Sequence, residues 1–305
     1  MAVPAIQTQQ LRKEFGKNIA VDSLTLDVLQ GEVFGFLGPN GAGKTTAIKM
    51  LLGLVHPTSG SAQILGHPIG EIAIRQETGF LPEHFRFHDW LTGEEFLTLH
   101  GQLYNLNRAA LKNRINSLLE RVGLEEHRQK QLRTYSKGML QRIGLAQALL
   151  NHPRIIFLDE PTSGLDPVGR RLVRDIIHEA SSEGLTVFLN SHLLSEVEIT
   201  CHRVAFIKHG TVLQTSELNR LVEGESTVTI RADGITSEIL SGLEKFGCRV
   251  RQDGAQVQMT IASAKVLPEI TRFLIEVGAD IYSLVPGRLS LEDLFIKVVG
   301  TDGGL

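Results

Sequence analysis

One segment of the chain has the residue types and the spacing of a phosphate-binding loop. It reads G-x-x-x-x-G-K-[ST] and consists of Gly38, Pro39, Asn40, Gly41, Ala42, Gly43, Lys44 and Thr45. The glycines let successive backbone N–H groups turn toward one anion, and a helix that starts there adds the positive end of its dipole. Lys44 then supplies a charge to the β- and γ-phosphates, and the Thr45 hydroxyl ligates Mg²⁺. The segment predicts a site for a nucleoside triphosphate.

Such a loop needs a strand before it and a helix after it, and both flanks have the corresponding patterns. The apolar run at residues 33–37 predicts a buried strand, and residues 46–52 have helical spacing that stops before Pro57. A glycine-rich turn with a chance lysine is the alternative interpretation of the motif. The flanks and the four occupied motif positions argue against that alternative.

Two further predicted strands end in residues that suit the same chemistry. The apolar run at residues 155–158 is followed by Asp159 and Glu160. The run at residues 185–189 is followed, three residues later, by His192. If these strands lie in one parallel sheet, their carboxyl ends meet where ligands bind. Asp159 suits Mg²⁺ as a carboxylate, and Glu160 can polarise a water for attack on the γ-phosphorus. His192 can hydrogen-bond that phosphate; a structural role is the alternative for a lone histidine.

Between these strands, the pattern changes to helix alone. Thr92 and Glu95 form a capping box ahead of an apolar stretch, and residues 111–122 carry an apolar face that ends at Gly123. A further helix follows residues 135–139. We therefore predict an inserted helical subdomain at about residues 84–152.

The first residues predict edge strands and an exposed aromatic ring. Apolar and polar residues alternate around Ile6 and from Leu24 to Val28, and residues 15–18 read as a turn. Phe15 can stack under an adenine ring, because aromatic faces stack on bases without sequence-specific hydrogen bonds. Core packing is the alternative for an isolated phenylalanine.

A composition shift near residues 223–225 predicts a domain boundary. Beyond it, the pattern predicts strand, helix, strand, strand, helix and strand over residues 227–284, with a last helix after Ser290. This βαββαβ order is that of a ferredoxin-like fold. The segment contains no cluster of residues with evident chemistry, so we expect a structural or dimerising role.

Composition excludes several classes of protein. The 305 residues carry a net charge of -3, so we expect no nucleic-acid partner. The two cysteines, Cys201 and Cys248, lack metal-type spacing. The first residues do not predict a signal peptide, and no apolar run approaches the roughly 18 residues that cross a bilayer. If the protein works at a membrane, we expect another subunit to span it.

Taken together, these motifs resemble the ATP-binding cassette of ABC transporters over about residues 5–220. The matching elements are the Walker A motif at residues 38–45, the Walker B motif at residues 155–160 with its catalytic Glu160, the D-loop at residues 163–166, the switch histidine His192 and the A-loop aromatic Phe15. The resemblance implies an α/β fold of the P-loop NTPase class. For residues 1–222, the resemblance implies an ATP-binding domain with a mixed sheet core, an antiparallel β edge and a helical subdomain. For residues 223–305, the βαββαβ pattern predicts a small ferredoxin-like α+β accessory domain.

The resemblance also implies the activity, the ligands and the partners. ATP and Mg²⁺ are the implied cofactors, and ATP hydrolysis would move a separate integral-membrane subunit. The resemblance implies that ATP is bound by Phe15, the loop residues Gly38 to Thr45, and Thr46. It implies that the metal is contacted by Thr45, Glu83 and Asp159. The residues implied to contact ATP on a second cassette are Ser136, Lys137, Gly138, Met139 and Asp166. We expect a homodimer, with a heterodimer as the alternative, held peripherally at the cytoplasmic face of the cell membrane.

Two positions depart from the family pattern. The signature, usually LSGGQ, is Tyr-Ser-Lys-Gly-Met at residues 135–139, which keeps Ser136 and Gly138 but loses an amide at Met139. Glu83 stands where the family has the glutamine of the Q-loop. A carboxylate can still ligate Mg²⁺, yet it adds negative charge near the γ-phosphate. These variants and the extra C-terminal domain resemble an exporter-like subgroup.

Other functions account for fewer of these residues. A GTPase is a poor alternative because no N-K-x-D motif occurs, and a kinase gives no role to Glu160, His192 or the signature. A non-transport ABC ATPase acting on DNA or ribosomes is the serious rival, but such proteins usually carry long coiled-coil insertions or two cassettes. The retained Glu160 and His192 argue against an ATP-binding regulator that barely hydrolyses. We therefore expect the ATPase subunit of an exporter.

Overall fold

Two separate sheets divide the chain. The computed structural model describes residues 4–84, 88–218, 226–287 and 290–300. One compact unit contains the described residues up to Thr215 and those from Val298 on, and the other is Ser216–Lys297. The boundary predicted near residues 223–225 lies outside the described residues.

The sheet of the first unit joins an antiparallel edge to a parallel core, as the mixed sheet in the prediction requires. Its strands are β1 (Pro4–Phe15), β2 (Asn18–Leu29), β3 (Val33–Leu37), β4 (Ser59–Ile64), β5 (His67–Pro68), β6 (Thr78–Leu81), β7 (Ile155–Asp159), β8 (Thr186–Asn190), β9 (Arg203–Lys208) and β10 (Thr211–Glu217). They lie in the order β5-β4-β1-β2-β10-β9-β3-β8-β7-β6. Pairs among β1, β2, β4 and β5 are antiparallel, whereas β9, β3, β8, β7 and β6 run parallel.

The parallel core strands are buried on both faces, as their continuous apolar sequences predict. Every residue of β3, β7 and β8 is buried. The ring of Phe188 packs between Phe34 and Phe157, with centroid distances of 5.8 and 5.4 Å. Each buried phenylalanine stabilises the fold by roughly 1.5–3 kcal/mol. The apolar contacts fix the three strands side by side, so their carboxyl ends lie along one edge.

The helices of the first unit begin and end at the signals in the sequence. They are α1 (Lys44–Leu51), α2 (Ile72–Gln76), α3 (Gly93–Leu103), α4 (Arg108–Arg121), α5 (Lys137–Ala148), α6 (Pro167–Ser182) and α7 (Leu194–Thr200). The predicted capping box is confirmed: Thr92 Oγ1 accepts from Glu95 N at 3.2 Å, and Glu95 Oε2 accepts from Thr92 N at 2.8 Å. After α4, Gly123 turns the chain with a φ of 63°. Helices α3 to α5, with the 3₁₀ turns Glu125–His127 and Leu132–Thr134, form the stretch between β6 and β7.

The second unit alternates strands and helices in the order βαββαβ. Its elements are β11 (Ser226–Asp233), α8 (Ser237–Leu243), β12 (Cys248–Asp253), β13 (Gln256–Ile261), the 3₁₀ turn Ala264–Val266, α9 (Leu267–Glu276), β14 (Asp280–Gly287) and the start of α10 (Leu291–Val299). The sheet is antiparallel in the order β12-β13-β11-β14. Leu243 of α8 and Leu274 of α9 are fully buried in an apolar core with the sheet residues Val228, Ile230 and Val257. This is the connectivity of a ferredoxin-like fold.

Candidate active site

The phosphate-binding loop has the shape that its glycines allow. A side chain at Gly38 would collide with the carbonyl oxygen of Ile207, and one at Gly43 would collide with that of Ala20. Gly43 also has a φ of 97°, which side chains of L-residues rarely permit. Helix α1 begins directly after it, at Lys44, so the first N–H groups of the helix, which have no acceptor within it, lie beside the loop.

Lys44 folds back over the loop that precedes it. Its Nζ donates to the carbonyl oxygens of Gly38 at 2.7 Å and Pro39 at 3.0 Å. Burial lowers the pKa of Lys44, while the nearby carboxylates of Glu160, Asp159 and Glu83 oppose that shift. The structure thus brings three acidic residues from distant parts of the sequence around this one ammonium group.

Thr45 and Asp159 present oxygen atoms to each other across the site. Thr45 Oγ1 donates to Asp159 Oδ2 at 3.5 Å, and Asp159 is almost completely buried at the end of β7. Burial raises the pKa of Asp159, and a hydrogen bond from Asn190 opposes the rise. A hydroxyl and a carboxylate are hard oxygen donors, which suit Mg²⁺. Among the described residues there is no cluster of three His, Cys, Asp or Glu side chains that would hold a metal by itself, so further ligands must come from elsewhere.

Glu160 occupies a strained position immediately after Asp159. Its φ is 56°, in the left-handed region, which costs of order 1–3 kcal/mol for a residue other than glycine. Three hydrogen bonds hold its backbone there: its N–H donates to Asn190 O at 2.9 Å, and its carbonyl oxygen accepts from Gln141 Nε2 at 3.3 Å and from Ser163 N at 3.2 Å. With this φ, the backbone at Glu160 leaves the extended conformation of β7, which ends at Asp159.

The carboxylate of Glu160 meets the predicted histidine. His192 Nδ1 lies 2.6 Å from Glu160 Oε2; the carboxylate is buried, whereas the imidazole is largely exposed. Burial raises the pKa of Glu160, and the neighbouring His192 opposes this. A buried carboxylate with a raised pKa beside a histidine is the arrangement expected of a general base.

The other predicted nucleotide contacts lie at the rim. Phe15, at the end of β1, is 51% exposed, and Lys13 Nζ lies 4.9 Å from its ring centroid. Its strand β1 pairs with β2, whose Ala20 contacts Gly43 of the loop. Glu83 is exposed just after β6, and its charge acts on Lys44, Asp159 and Glu160.

The signature residues and the D-loop lie against each other. Ser136 caps α5 by accepting from Met139 N at 3.2 Å, which leaves its O–H free to donate. Lys137 lies so close to Gly164 that a side chain there would collide with it. Asp166 caps α6 by accepting from Gly169 N at 2.7 Å. In the part of the chain that the structure describes, no hydrogen bond or ion pair joins residues 136–139 to residues 38–46.

Sequence reasoning missed two residues that hold the acidic pair. Asn190 contacts both Asp159 and Glu160, and Gln141 of α5 holds the carbonyl group of Glu160. The one available signal for Asn190 was a polar residue at the end of an otherwise apolar strand. Gln141 gave no such signal, because a glutamine on a partly exposed helix face is ordinary.

None of the helices formed by the described residues is long and apolar enough to cross a bilayer.

Comparisons with known proteins identify the family of the chain. A family model described as "ABC transporter" matches residues 21–163. An ABC transporter ATP-binding protein of Nostoc is 40% identical over 96% of this chain and 89% of its own length. The bacitracin transport ATP-binding protein of Bacillus licheniformis is 34% identical over 97% of each chain, and the linearmycin resistance ATP-binding protein of Bacillus subtilis is 31% identical over 97% and 98%.

Solved structures give the same fold. The ATP-binding subunit of an ABC transporter aligns with a TM-score of 0.66 and 28% identity, over 71% of this chain and 91% of that one. A dimeric ATP-binding cassette bound to ADP and Pi aligns with a TM-score of 0.65 over 70% of this chain and 98% of that one; at 24% identity, it supports the fold alone.

Proposed function

Because the chain belongs to the ATP-binding subunits of ABC transporters, we propose that it powers export through a separate membrane subunit, using the residues described above. The members of this family hydrolyse ATP with Mg²⁺, so the chain is an ATPase and these are its cofactors. Family members also work as dimers with a membrane subunit. The proposal adds the direction of transport, the roles of individual residues and the place of the partners.

One observation carries the assignment of the site: Lys44, Asp159, Glu160 and His192 converge although they follow three different strands. The loop from Gly38 to Thr46 would hold the phosphates, and Phe15 would support the adenine. Thr45 and Asp159 would hold Mg²⁺, with Glu83 nearby. When bound, Mg²⁺ neutralises charge on the phosphates.

Glu160 and His192 would have different roles at the γ-phosphate. Glu160 accepts a proton from the attacking water, because its carboxylate is buried, held at its backbone and close to the other acidic group. His192 contacts that carboxylate through Nδ1, so its exposed ring can turn the other nitrogen toward a phosphate oxygen. The strained φ of Glu160 sets this direction.

The site is completed by a second cassette. Ser136 and Gly138 begin α5 and have no contact with their own phosphate-binding loop among the described residues, so we assign them, with Lys137, Met139 and Asp166, to ATP held by the opposing chain. The free O–H of Ser136 and the positive end of α5 suit a γ-phosphate. ATP then bridges two cassettes around a two-fold axis.

The membrane subunit would dock beside Glu83. A cavity of about 350 Å³ is lined by residues of α1, α2 and α5, by Tyr104 directly after α3, and by Phe80 and Pro82 at the end of β6, the strand that leads to Glu83. Trp90, which follows Glu83 by seven residues along the chain, is 62% exposed. Residues 85–87 lie outside the described part. Glu83 would thus report the state of the phosphates to the partner.

The proposed direction of transport rests on similarity. Relatives called a bacitracin transport and a linearmycin resistance protein fit the removal of toxic compounds. We assign the second unit to self-association or regulation as an accessory domain, and the protein to the cytoplasmic face of the membrane. Alkaline washing should release the chain from membranes that contain its partner, and an ATPase retained after the wash would contradict peripheral binding.

The decisive experiment uses Glu160→Gln, which keeps the shape of the side chain and removes the base. With ATP and Mg²⁺, this variant should hold ATP and shift from monomer to dimer in light scattering, if the chain pairs with itself. Adding Ser136→Arg should abolish the shift through a clash with the opposing phosphate. A variant that stays monomeric at high concentration would require a different cassette as partner. Wild-type activity strictly linear in concentration, from an isolated monomer, would refute the shared site.

A further inference from the structure

Asn190 ends β8 and touches both acidic residues of the site. Its Cα pairs in register with that of Asp159 on the neighbouring strand β7. Its side-chain Nδ2 donates to Asp159 Oδ1 at 2.5 Å, and its backbone oxygen accepts from Glu160 N at 2.9 Å. Asn190 and Asp159 are each only 2% exposed, so bulk solvent does not compete for these contacts. One residue therefore holds two consecutive acidic residues by two different groups.

The side-chain bond decides how the Asp159 carboxylate is turned. Oδ1 is held by Asn190, and Oδ2 lies toward the Thr45 hydroxyl. An apolar residue at position 190 would leave Asp159 Oδ1 buried without the amide N–H donor. The Asp159 carboxylate would then be free to rotate toward other partners. The amide thus keeps Oδ2 on the side of the site where Thr45 offers its own oxygen.

The amide oxygen of Asn190 remains open. Asn190 Oδ1 is buried and receives no hydrogen bond from any described residue. A buried acceptor without a donor costs about 1–3 kcal/mol, so its retention needs a reason. This oxygen belongs to the residue that orients Asp159, and Asp159 and Thr45 are the two oxygen donors suited to Mg²⁺. Mg²⁺ keeps several of its waters when it binds to proteins. A metal-bound water can donate the hydrogen bond that Asn190 Oδ1 lacks.

We propose that Asn190 is a positioning residue for Mg²⁺: its amide N–H orients the Asp159 carboxylate, and its amide oxygen accepts from the hydration shell of the ion. This inference rests on the proposed ATP site. Partners in the second coordination shell typically change metal affinity 10- to 100-fold when they are replaced. Asn190 should act on metal binding. The phosphate loop should bind nucleotide as before, because among the described residues no hydrogen bond joins Asn190 to residues 38–46.

Strand β8 also supplies a matched control. Its two terminal residues, Thr186 and Asn190, are polar and buried, and the three between them are apolar. Thr186 Oγ1 accepts from Gly31 N at 3.0 Å, at the opposite end of the strand from the site. Thr186→Val removes one partly buried hydrogen bond from the same strand without changing the hydrogen bonds of Asp159 or Glu160. It therefore measures the cost of disturbing β8 alone.

The test measures metal binding in the full-length protein without turnover. The nucleotide probe is AMP-PNP, first in EDTA to obtain metal-free affinity, and the metal probe is Mn²⁺, titrated into the protein–AMP-PNP complex and followed by electron paramagnetic resonance against AMP-PNP alone. Asn190→Leu, similar in size, should weaken Mn²⁺ binding at least about 10-fold. Its metal-free affinity for AMP-PNP should stay within about two-fold, and Thr186→Val should leave both affinities within that range.

Several outcomes would overturn the proposal. Wild-type Mn²⁺ affinity in Asn190→Leu would exclude a role toward the metal, and a loss of metal-free AMP-PNP affinity equal to the loss of Mn²⁺ affinity would indicate a structural role. If Asn190→Leu does not fold, Asn190→Ser takes its place; its hydroxyl is too short to replace the amide at both positions, so wild-type Mn²⁺ affinity there would equally refute the idea. Failure of the unmodified chain to bind AMP-PNP in EDTA would overturn the proposed site as well.

Discussion

The two compact units are built from similar strands and helices but differ in what they bury. In the first unit, the buried residues include acidic, amide and hydroxyl side chains, and several of them lie at the carboxyl ends of β7 and β8. In the second unit, the buried side chains among the described residues are apolar or alanine, as in the cluster around Leu243, Leu274 and Val257.

This difference separates the demands of folding from those of function. Burying a polar group destabilises a fold unless the group is hydrogen-bonded, so folding alone favours the composition of the second unit. Asp159, Glu160 and Asn190 are buried together and are partly unsatisfied, since Asn190 Oδ1 has no donor among the described residues. Such residues persist where chemistry requires them. This contrast supports placing the proposed ATP site in the first unit.

The largest expected effect is a loss of stability, and it concerns a buried charge of the first unit that does not belong to the proposed site. Glu32 is buried far from the ATP site, where Arg203 Nη1 contacts it at 3.0 Å and Leu29 N donates to it at 2.6 Å. Arg203→Met leaves this carboxylate unpaired and should lower the free energy of unfolding by about 3–5 kcal/mol in urea denaturation. Arg203→Met with Glu32→Leu should recover most of the loss. A single variant as stable as the wild type would show that the pair contributes nothing.

The same variant predicts a pH dependence. Burial raises the pKa of Glu32, and the Leu29 N–H and the Arg203 guanidinium oppose the rise, while Asp27 adds to it. Without Arg203, the pKa rises further. A folded-state pKa above the unfolded value gives stability that is present at low pH and lost as pH rises through the folded value. The penalty of Arg203→Met should therefore be smaller near about pH 5 than near about pH 8. An equal penalty at both would contradict the assignment.

Lys44→Ala should have the largest effect on the ligand. It removes the half-buried ammonium that faces three carboxylates, so the phosphates lose their charge partner. We expect ATP affinity to fall by about 2–5 kcal/mol, the usual cost of removing one member of a buried charge pair. Calorimetric titration measures it. Lys49→Ala removes an exposed lysine from the same helix and should bind ATP normally. Equal affinities for the two variants would refute the loop assignment.

Glu83→Ala should have an intermediate effect. Its charge reaches Lys44, Asp159 and Glu160, yet it lies on the exposed side of the site. We expect ATP affinity within a few-fold of wild type, and a fall of about 10-fold in hydrolysis or in its coupling to transport, about 1.4 kcal/mol. Glu83→Gln, which keeps a side-chain oxygen, is the matched variant and should lose less. Unchanged ATPase activity and transport in Glu83→Ala would remove Glu83 from the site.

Removing the second unit should have the smallest effect on ATP. Truncation after Leu221, a residue outside the described part, should leave a first unit whose ATP affinity stays within about two-fold while self-association or regulation weakens. It also removes the end of α10, where Lys208 Nζ donates to Val299 O at 2.6 Å, so a loss of about 0.5–1.5 kcal/mol in stability is expected. Failure to recover a folded, ATP-binding protein would show that the units depend on each other.

Local signals in the sequence predicted many elements correctly because neighbouring residues decide them. The capping box of Thr92 and Glu95 and the left-handed Gly123 require only contacts within one helix and its ends. Helix α6 starts at Pro167 for a comparable local reason, since proline lacks an N–H and the first N–H groups of a helix have no acceptor within it. The apolar runs of β3, β7 and β8 predicted burial on both faces, which the structure confirms.

Contacts between distant residues were beyond such reasoning. Asp166 was predicted from the resemblance as a contact to a second nucleotide, and its role in capping α6 became evident only from the backbone around it. The contact of Lys137 with Gly164 depends on how α5 lies against the D-loop. Asn190 and Asp159 are 31 residues apart, and only the register of β7 and β8 brings them together.

The sequence by itself determined the phosphate-binding loop, the polar residues at the ends of β7 and β8, and the order of strands and helices in the second unit. These features depend on residue type, spacing and periodicity, which are local. The tertiary structure decided which oxygen of Asp159 faces Thr45, why Glu160 turns out of its strand, and that Asn190 holds both. Such choices depend on strand register and on satisfying buried polar groups, and these are properties of the packed sheet as a whole.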